Sequence, residues 1–497
     1  MSMTGPKMQT SHTPQDKTET PVLSADENAL LCWRKRNSYY YRWLDKIYKF
    51  AVRPNSRVLH VGCDCGDLLA AVEPAYGVGI DPDEQAVALA KKRFPHLNFY
   101  AMDPHELHLD EKFDYVLICN SLGRWRDIQQ VLERIRPLTT DGTRIVITYY
   151  NHLWEGLMRL GSVVGVRKPY SYQNWLPTED IVSLLGLADF DVIRTTSYLL
   201  LPKRIPPLTA LSNYFLSLLP GFRYFNLVNL VIARPAPAAV RDEDLSVSVI
   251  VPCRNERGNI EDVVTRIPQM GRETEIIFVD GNSTDGTAEE IERQIKLRPH
   301  RKIRLLHQGP GVGKGDAVRK GFAEAKADVL VIQDADLTTS PEDLPKFFRA
   351  LRNGKGEFVN GSRLVYPMEK QAMRLLNLLA NKFFGALFSW LLGQRFRDTL
   401  CGTKMIRRKD YKMIEADRSY FGDFDPFGDF DLIFGAVKLN LKVTEVPVTY
   451  RARTYGKTNI SRFKHGWLLL KMSWLAFKKI KWLGTRNYRR SGGTNER

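Results

Sequence analysis

The sequence predicts an α/β protein with two doubly wound domains in series. Strand-like and helix-like segments alternate between residues 57 and 150, and a second alternating series begins at Ser246. Between them RPAPAAVRDEDL, residues 234–245, has the proline, alanine and charge of a linker. In the second series the apolar run VLVIQ ends in Asp334-Ala335-Asp336. In an extended chain, residues two apart point the same way, so both carboxylates leave the strand tip together.

Composition bounds the rest. A chain of 497 residues is long enough for several domains, and a hydrophobic content of 43% excludes disorder as the overall state. A net charge of +17 favours an anionic partner. From Arg451 onward, 13 Lys and Arg face one Glu, a tail suited to an anionic membrane surface. An aromatic, basic stretch is confined to residues 33–50, so nucleic acid is not expected as a partner. The six cysteines form no evident disulfide framework, and Cys63 and Cys65 are too close for a zinc pair, which suits a reducing compartment. Residues 1–28 are polar and are expected to be a disordered tail without a signal peptide. Without 18 consecutive apolar residues, no membrane span is expected.

The first domain is expected over 29–233. Residues 29–50 read as an aromatic, basic helix. RVLHVG, VGID, LNFYAMD, FDYVLICN and TRIVITYY read as strands, and a looser appendage follows. Gly62 and Gly66 lie in the turn after the first strand, where glycine lets a backbone approach a ligand. Asp81 ends the second strand, Asp103 the third and Asn120 the fourth. An acidic residue at the end of the second strand is placed to meet ribose hydroxyls.

The second domain is expected over 246–460, with strands SVSVIVPC, EIIFVDG, KIRLLHQ, VLVIQDAD and EFVNGSR. Pro252, Asn255 and Glu256 follow the first of these and Asp280 ends the second, where a base and ribose would sit. The loop GPGVGKGDAVRKG offers Lys314 and a helix N-terminus to a phosphate. It is not a Walker A loop, because Gly315 follows the lysine. Asp334 and Asp336 are a hard-oxygen pair suited to Mg²⁺ or Mn²⁺. Residues 372–393 are apolar but carry Arg374, Asn377, Asn381 and Lys382, and read as an interfacial helix. Its Phe383, Phe384, Phe388, Trp390, Leu391 and Leu392 are expected to enter a membrane interface. Residues 465–484 repeat that chemistry, within a basic amphipathic tail over 461–497.

VLHVGCDCGDLLAA, with Asp81, Asp103 and Asn120, resembles the class I S-adenosylmethionine-dependent methyltransferases, a Rossmann-like fold. The resemblance implies that Gly62, Asp64, Gly66, Asp81, Asp103 and Asn120 line a cofactor site. Two positions depart from the family's pattern: His60 stands where it has an acidic residue, and Asp64 where it has a glycine. The domain either methylates a sugar, glycan or lipid product, or retains only the fold.

VPCRNE, FVDGNSTDGT, the Lys314 loop and QDAD together resemble glycosyltransferase family 2, inverting enzymes of GT-A fold, and within it the polyprenyl-phosphate sugar synthases. FVNGSR, DTLCGTKM and YRARTYGKTNISRF extend the likeness. It implies a nucleotide-sugar donor and a polyprenyl phosphate acceptor. Ser362, Arg363, Arg374, Arg453 and Lys457 would serve acceptor or donor phosphates. A phosphate acceptor needs no strong base. A glycan hydroxyl would need one, and Asp398 and Asp431 are then the candidates beside Asp336. The expected location is cytoplasmic, peripheral on the inner face of the cell membrane, and oligomers are possible.

Overall fold

Two seven-stranded mixed sheets frame the molecule. The computed structural model describes residues 25–165, 167, 172–219, 221–238, 241, 244–311, 313–365, 375–418, 429–453, 455 and 462–481. The first sheet holds β1 (Arg57–Val61), β2 (Tyr76–Asp81), β3 (Asn98–Ala101), β4 (Phe113–Cys119), β5 (Thr139–Tyr150), β6 (Phe190–Tyr198) and β7 (Val228–Pro235). Its order is β3-β2-β1-β4-β5-β7-β6. The first five strands run parallel, and β7 runs antiparallel to both β5 and β6. Helices cover both faces, so β1 and β4 are apolar on both sides: Val58, Leu59, Val61, Val116, Leu117 and Ile118 are all buried.

The second sheet holds β8 (Ser246–Cys253), β9 (Glu273–Asp280), β10 (Lys302–His307), β11 (Val329–Ile332), β12 (Phe358–Ser362), β13 (Lys404–Arg407) and β14 (Val443–Pro447), ordered β10-β9-β8-β11-β13-β12-β14. The chain order turns around at β8, which pairs with β9 on one side and β11 on the other, both parallel. Ligands of open α/β sheets bind at such a switch point, beyond the carboxyl ends of the strands. β13 inserts antiparallel between β11 and β12.

Three elements differ from the sequence expectation. The helix expected over 29–50 is two, Ala25–Arg36 and Ser38–Ala51, parted at Asn37, whose side chain donates to the Trp33 carbonyl at 3.1 Å. The expected linker starts inside β7, where Pro235 pairs with Phe190. Within the apolar helix Leu375–Leu392, the described side chains expected to enter a membrane interface are mostly turned into protein. Phe384, Phe388, Leu391 and Leu392 are buried, and Phe388 packs on Phe430 and Phe434 at ring separations of 5.3 and 5.8 Å. Of the six residues expected to enter a membrane, only Phe383 is strongly exposed. Among the described residues no helix is long and apolar enough to cross a membrane.

The two sheets are joined by buried polar contacts. Arg144 on β5 donates to the Asn440 carbonyl at 2.9 Å and to Glu357 at 2.7 Å. Arg234 on β7 pairs with Asp191 at 3.0 Å and Glu357 at 3.3 Å, and Lys442 reaches Asp191 at 2.5 Å. Lys438 and Asn440 donate to the carbonyls of Phe50 and Ala51 at 2.8 and 2.9 Å. Buried arginines tolerate desolvation only when paired, so these contacts fix one relative placement of the sheets.

Asp410, on the helix Arg408–Ala416, is buried beside this network. Burial, then the like charge of Glu357, pushes its carboxyl up to about 6. A carboxyl raised above its unfolded pKa stabilises the fold only while protonated. Its contribution is complete below about pH 4 and is lost as pH rises through 6. Asp410→Asn should therefore raise stability at pH 7.5 by up to about 3 kcal/mol and leave it unchanged near pH 4, measured by urea unfolding. Equal effects at both pH values would refute this assignment.

Candidate functional site

The site is built from the tips of β8, β9 and β11. After β8, Asn255 adopts a left-handed φ of 56° and its side-chain oxygen accepts the Thr284 amide at 2.8 Å. Asparagine tolerates that backbone region. The Glu256 amide donates to the Thr287 hydroxyl at 3.0 Å, and its carboxylate accepts from Asn259 at 2.7 Å. The loops after β8 and β9 are thus laced together. Asp280 closes β9, buried, with the Ser283 amide 3.3 Å from both its oxygens. Pro252 lies one residue before the end of β8.

Beyond β11 the acidic pair meets two cations. Lys314 sits in the first turn of the helix Gly313–Glu324, and its Nζ lies 2.5 Å from Asp334 Oδ1. Arg453 bridges Asp336 at 2.6 Å and Glu256 at 3.0 Å. Asp336 also accepts from the Thr338 amide and hydroxyl at 3.1 and 2.9 Å. Burial alone would raise the Asp334 carboxyl. The charge of Lys314, with Lys404 and Arg363, outweighs it and holds the pKa below its ordinary value. Burial raises Glu256, with Arg453 opposing. A Cβ at Gly402 would lie 2.0 Å from Asp334 and 2.6 Å from Lys314 Nζ, so a larger residue there would push this ion pair aside.

Further along the sheet, Asp398 is wholly buried and both its oxygens grip Arg363, at 2.7 and 2.8 Å. Arg363 outweighs desolvation and keeps the carboxyl well below its usual range. A carboxylate held this way is a poor proton acceptor, and its arginine is not offered to a ligand, contrary to the roles expected for both. Ser362 is buried beside them with an unpartnered hydroxyl. Asp431 lies on the helix Asp429–Lys438 and pairs with Arg319 at 3.4 Å and Arg418 at 3.2 Å. Arg374 and Lys457 lie outside the described residues.

Two contributors escaped the sequence reading. Lys404 is 1% exposed, opposite Ile332 in the β11–β13 pair, and donates to the Cys401 carbonyl. A lysine opening the apolar strand KMIR was the available signal. Glu445 accepts the Arg397 and Asp398 amides at 2.8 and 3.1 Å and so fixes the loop that carries Asp398. Nothing in its local sequence marks that task.

Among the described residues no cluster of three or more acidic, His or Cys ligands exists. Asp334 and Asp336 nonetheless fit Mg²⁺ or Mn²⁺, because such ions are held by one or two carboxylates plus substrate phosphates.

The first sheet is different. Gly66 has φ 79° and a Cβ there would meet Phe99 at 2.7 Å. Asp81 is 4% exposed, and its two oxygens accept the Asp64 and Asp83 amides at 2.9 and 3.0 Å. It is turned onto its own loop and presents no surface to a ribose. Asp103 is exposed and accepts from His105 at 2.7 Å, and Asn120 donates to the Tyr40 hydroxyl at 2.8 Å. His60 is buried with both ring nitrogens unpartnered, and desolvation lowers it to about 3. The Asp81 oxygens are thus engaged by their own loop, and Asn120 by Tyr40.

Comparison with known proteins gives two family matches: glycosyl transferase family 2 over residues 248–414, and a methyltransferase domain over 59–145. The dolichol-phosphate mannosyltransferase of Pyrococcus furiosus is 30% identical over 223 residues, 44% of this chain and 59% of that protein. The protein of the same name from Saccharomyces cerevisiae is 42% identical over 120 residues, 21% of this chain and 41% of that one. The chain therefore spans about half the length of these relatives. A Thermotoga maritima S-adenosylmethionine-dependent methyltransferase, a possible histamine N-methyltransferase, shows 16% identity over 42% of this chain and 95% of its own, with a TM-score of 0.33.

If the Asp81 oxygens stay held by their own loop, a prediction for the full chain results. Titration with S-adenosylmethionine in a calorimeter should give no saturable heat. A dissociation constant in the micromolar range would show that the Asp81 loop opens.

Proposed function

We propose, from a chain in which a family 2 glycosyltransferase domain follows a methyltransferase domain, that residues 246–460 transfer a sugar from a nucleotide-diphosphate sugar to a polyprenyl phosphate, with inversion, at a membrane surface. The proposed limits of the first domain are 29–233. The observation that carries the reading is the acidic pair with a cation on each member, Lys314 on Asp334 and Arg453 on Asp336. Two carboxylates and two cations at one strand tip form a site complementary to a metal and a diphosphate arriving together. The likeness to two dolichol-phosphate mannosyltransferases supports the acceptor class.

Asp334 and Asp336 would hold Mg²⁺ or Mn²⁺, which when bound supplies charge neutralisation to the departing diphosphate. The chain's own residues do the rest. Asn255, Glu256 and Asp280 orient base and ribose between the β8 and β9 tips. Lys314 and Arg453, released from the carboxylates, hold diphosphate oxygens. Arg374 and Lys457 remain proposed acceptor-phosphate ligands. Asp398 and Arg363 act as a positioning pair that stiffens the wall behind Asp334.

A phosphate acceptor is already ionised at neutral pH and attacks without a base. The residues favour it over a glycan hydroxyl, because the two candidate bases are engaged: Asp398 by Arg363 and Asp431 by Arg319 and Arg418. The proposed location is peripheral, on the cytoplasmic side of a membrane. The N-terminal domain is proposed either to methylate the sugar, a related glycan or the lipid product, or, because both Asp81 oxygens are held by its own loop, to be a retained fold that braces the transferase.

The test is product analysis with purified protein, membrane lipid and a panel of labelled sugar nucleotides. Label should enter an organic-phase lipid. Asp336→Asn should reduce that transfer at least about 100-fold, since metal stabilisation of such charge amounts to several kcal/mol. Unchanged turnover, or label only in an aqueous glycan, would reject the reading.

A further inference from the structure

Seventeen of the twenty-four strongly exposed large apolar side chains among the described residues fall in or beside three segments: 153–164, 205–225 and the paired helices Leu375–Leu392 and Arg462–Ala476. The first two belong to the N-terminal half, where no membrane contact was expected.

Residues 208–219 are inside out. Thr209, Ser212, Asn213 and Ser217 are buried, while Leu208, Leu211, Phe215 and Leu219 face outward. The buried polar side carries hydrogen bonds through Thr209, Asn213 and Ser217. Asn213 accepts the Leu201 amide and donates to the Leu201 carbonyl, both at 2.8 Å, and Ser217 donates to the Asn213 carbonyl at 2.7 Å. A helix against water shows the opposite polarity. The helix Glu155–Val163 has no buried residue at all, yet Leu153, Leu157, Leu160 and Val164 form one apolar stripe along it. So short a helix is marginal in water without a covered face.

Specific contacts join these segments to the C-terminal helices. Trp154 Nε1 donates to the Phe225 carbonyl at 2.7 Å, and Trp390 Nε1 to the Leu218 carbonyl at 2.9 Å. Trp390 stacks on Phe477 at 6.1 Å, and Phe477 on Trp474 at 5.6 Å. The contacts place these segments side by side across both halves of the molecule.

Charge identifies the occupant. Residues 201–225 carry three Lys or Arg and 462–481 carry six, and neither stretch has an acidic residue. Lys471 and Lys478 stand over the Trp467 and Trp474 rings at 5.9 and 4.9 Å. Tryptophan beside lysine, at the rim of an apolar surface, is the chemistry of a bilayer interface.

We infer that residues 153–164 and 205–225 of the N-terminal half form, together with the helix Arg462–Ala476, a single docking face for an anionic lipid bilayer. The inference rests on the proposed transfer only in that a polyprenyl acceptor places a bilayer beside the sugar site. It assigns the N-terminal domain a role that needs no cofactor.

The test is sedimentation of the full chain with phosphatidylcholine vesicles, with and without phosphatidylglycerol. Leu157→Gln/Leu160→Gln and Leu211→Gln/Phe215→Gln should each weaken binding at least roughly tenfold, because the apolar face supplies the insertion. Arg204→Glu/Arg223→Glu should weaken it only where phosphatidylglycerol is present. All six positions are exposed, so thermal unfolding midpoints should match the parent's. Sugar transfer to a short, water-soluble isoprenyl phosphate should be unchanged in all three variants. Vesicle binding that is absent in the parent, or equal in parent and both apolar variants, overturns the inference. So does loss of self-association in those variants with vesicle binding intact, which would give the face to a second copy of the chain. If no isoprenyl phosphate accepts sugar at all, the transfer reading falls, while the sedimentation result still decides the face.

Discussion

The arrangement depends on how four charges are paired at the carboxyl end of β11. Two carboxylates two residues apart would repel if both were ionised and alone. Lys314 and Arg453 remove that conflict from opposite sides, one from the helix after β10 and one from the chain after β14. The elements that deliver them have no other reason to converge there. Gly402 leaves room for the first pair, Glu256 shares the second, and buried Lys404 adds positive field from below. Each contact lowers the cost of holding acidic groups in a partly dry crevice.

Much of this was legible in the sequence, because strand tips obey simple rules. Apolar runs locate β8, β9 and β11, and the residues that follow them are the ones that converge. Asp334, Asp336, Lys314, Glu256 and Arg453 all meet, although Arg453 comes from 117 residues beyond Asp336. What was not legible is who pairs with whom. Arg363 and Asp398 each read as chemistry, yet they satisfy one another across 35 residues of chain. Asp81 stands at the end of β2 as expected, but only the backbone of its loop decides that its oxygens turn inward. Periodicity also fails to tell which side of a helix meets protein. Phe384, Phe388, Leu391 and Leu392 meet protein where the pattern predicts lipid, whereas 208–219, a loose appendage by pattern, carries its apolar side outward.

The N-terminal half acquires meaning from its contacts rather than from its cradle. Arg144, Arg234 and Asp191 tie its last three strands to Glu357, Asn440 and Lys442 at the far edge of the second sheet. Because Arg144 and Arg234 are buried, removing their partners would strand a charge away from solvent, so the joint resists hinge motion. A rigid joint keeps the tip of β11 at a fixed place relative to the first sheet. Such a bracing role needs no cofactor, and a fold alone does not secure a function.

The most direct measurement is Mn²⁺ uptake by the full chain, followed by electron paramagnetic resonance, with and without GDP or UDP. The account predicts that the metal binds only when a nucleoside diphosphate is present to take Lys314 and Arg453 from the carboxylates, and that Asp334→Asn abolishes the signal. Equal Mn²⁺ uptake without nucleotide, or none with either nucleotide, would contradict it.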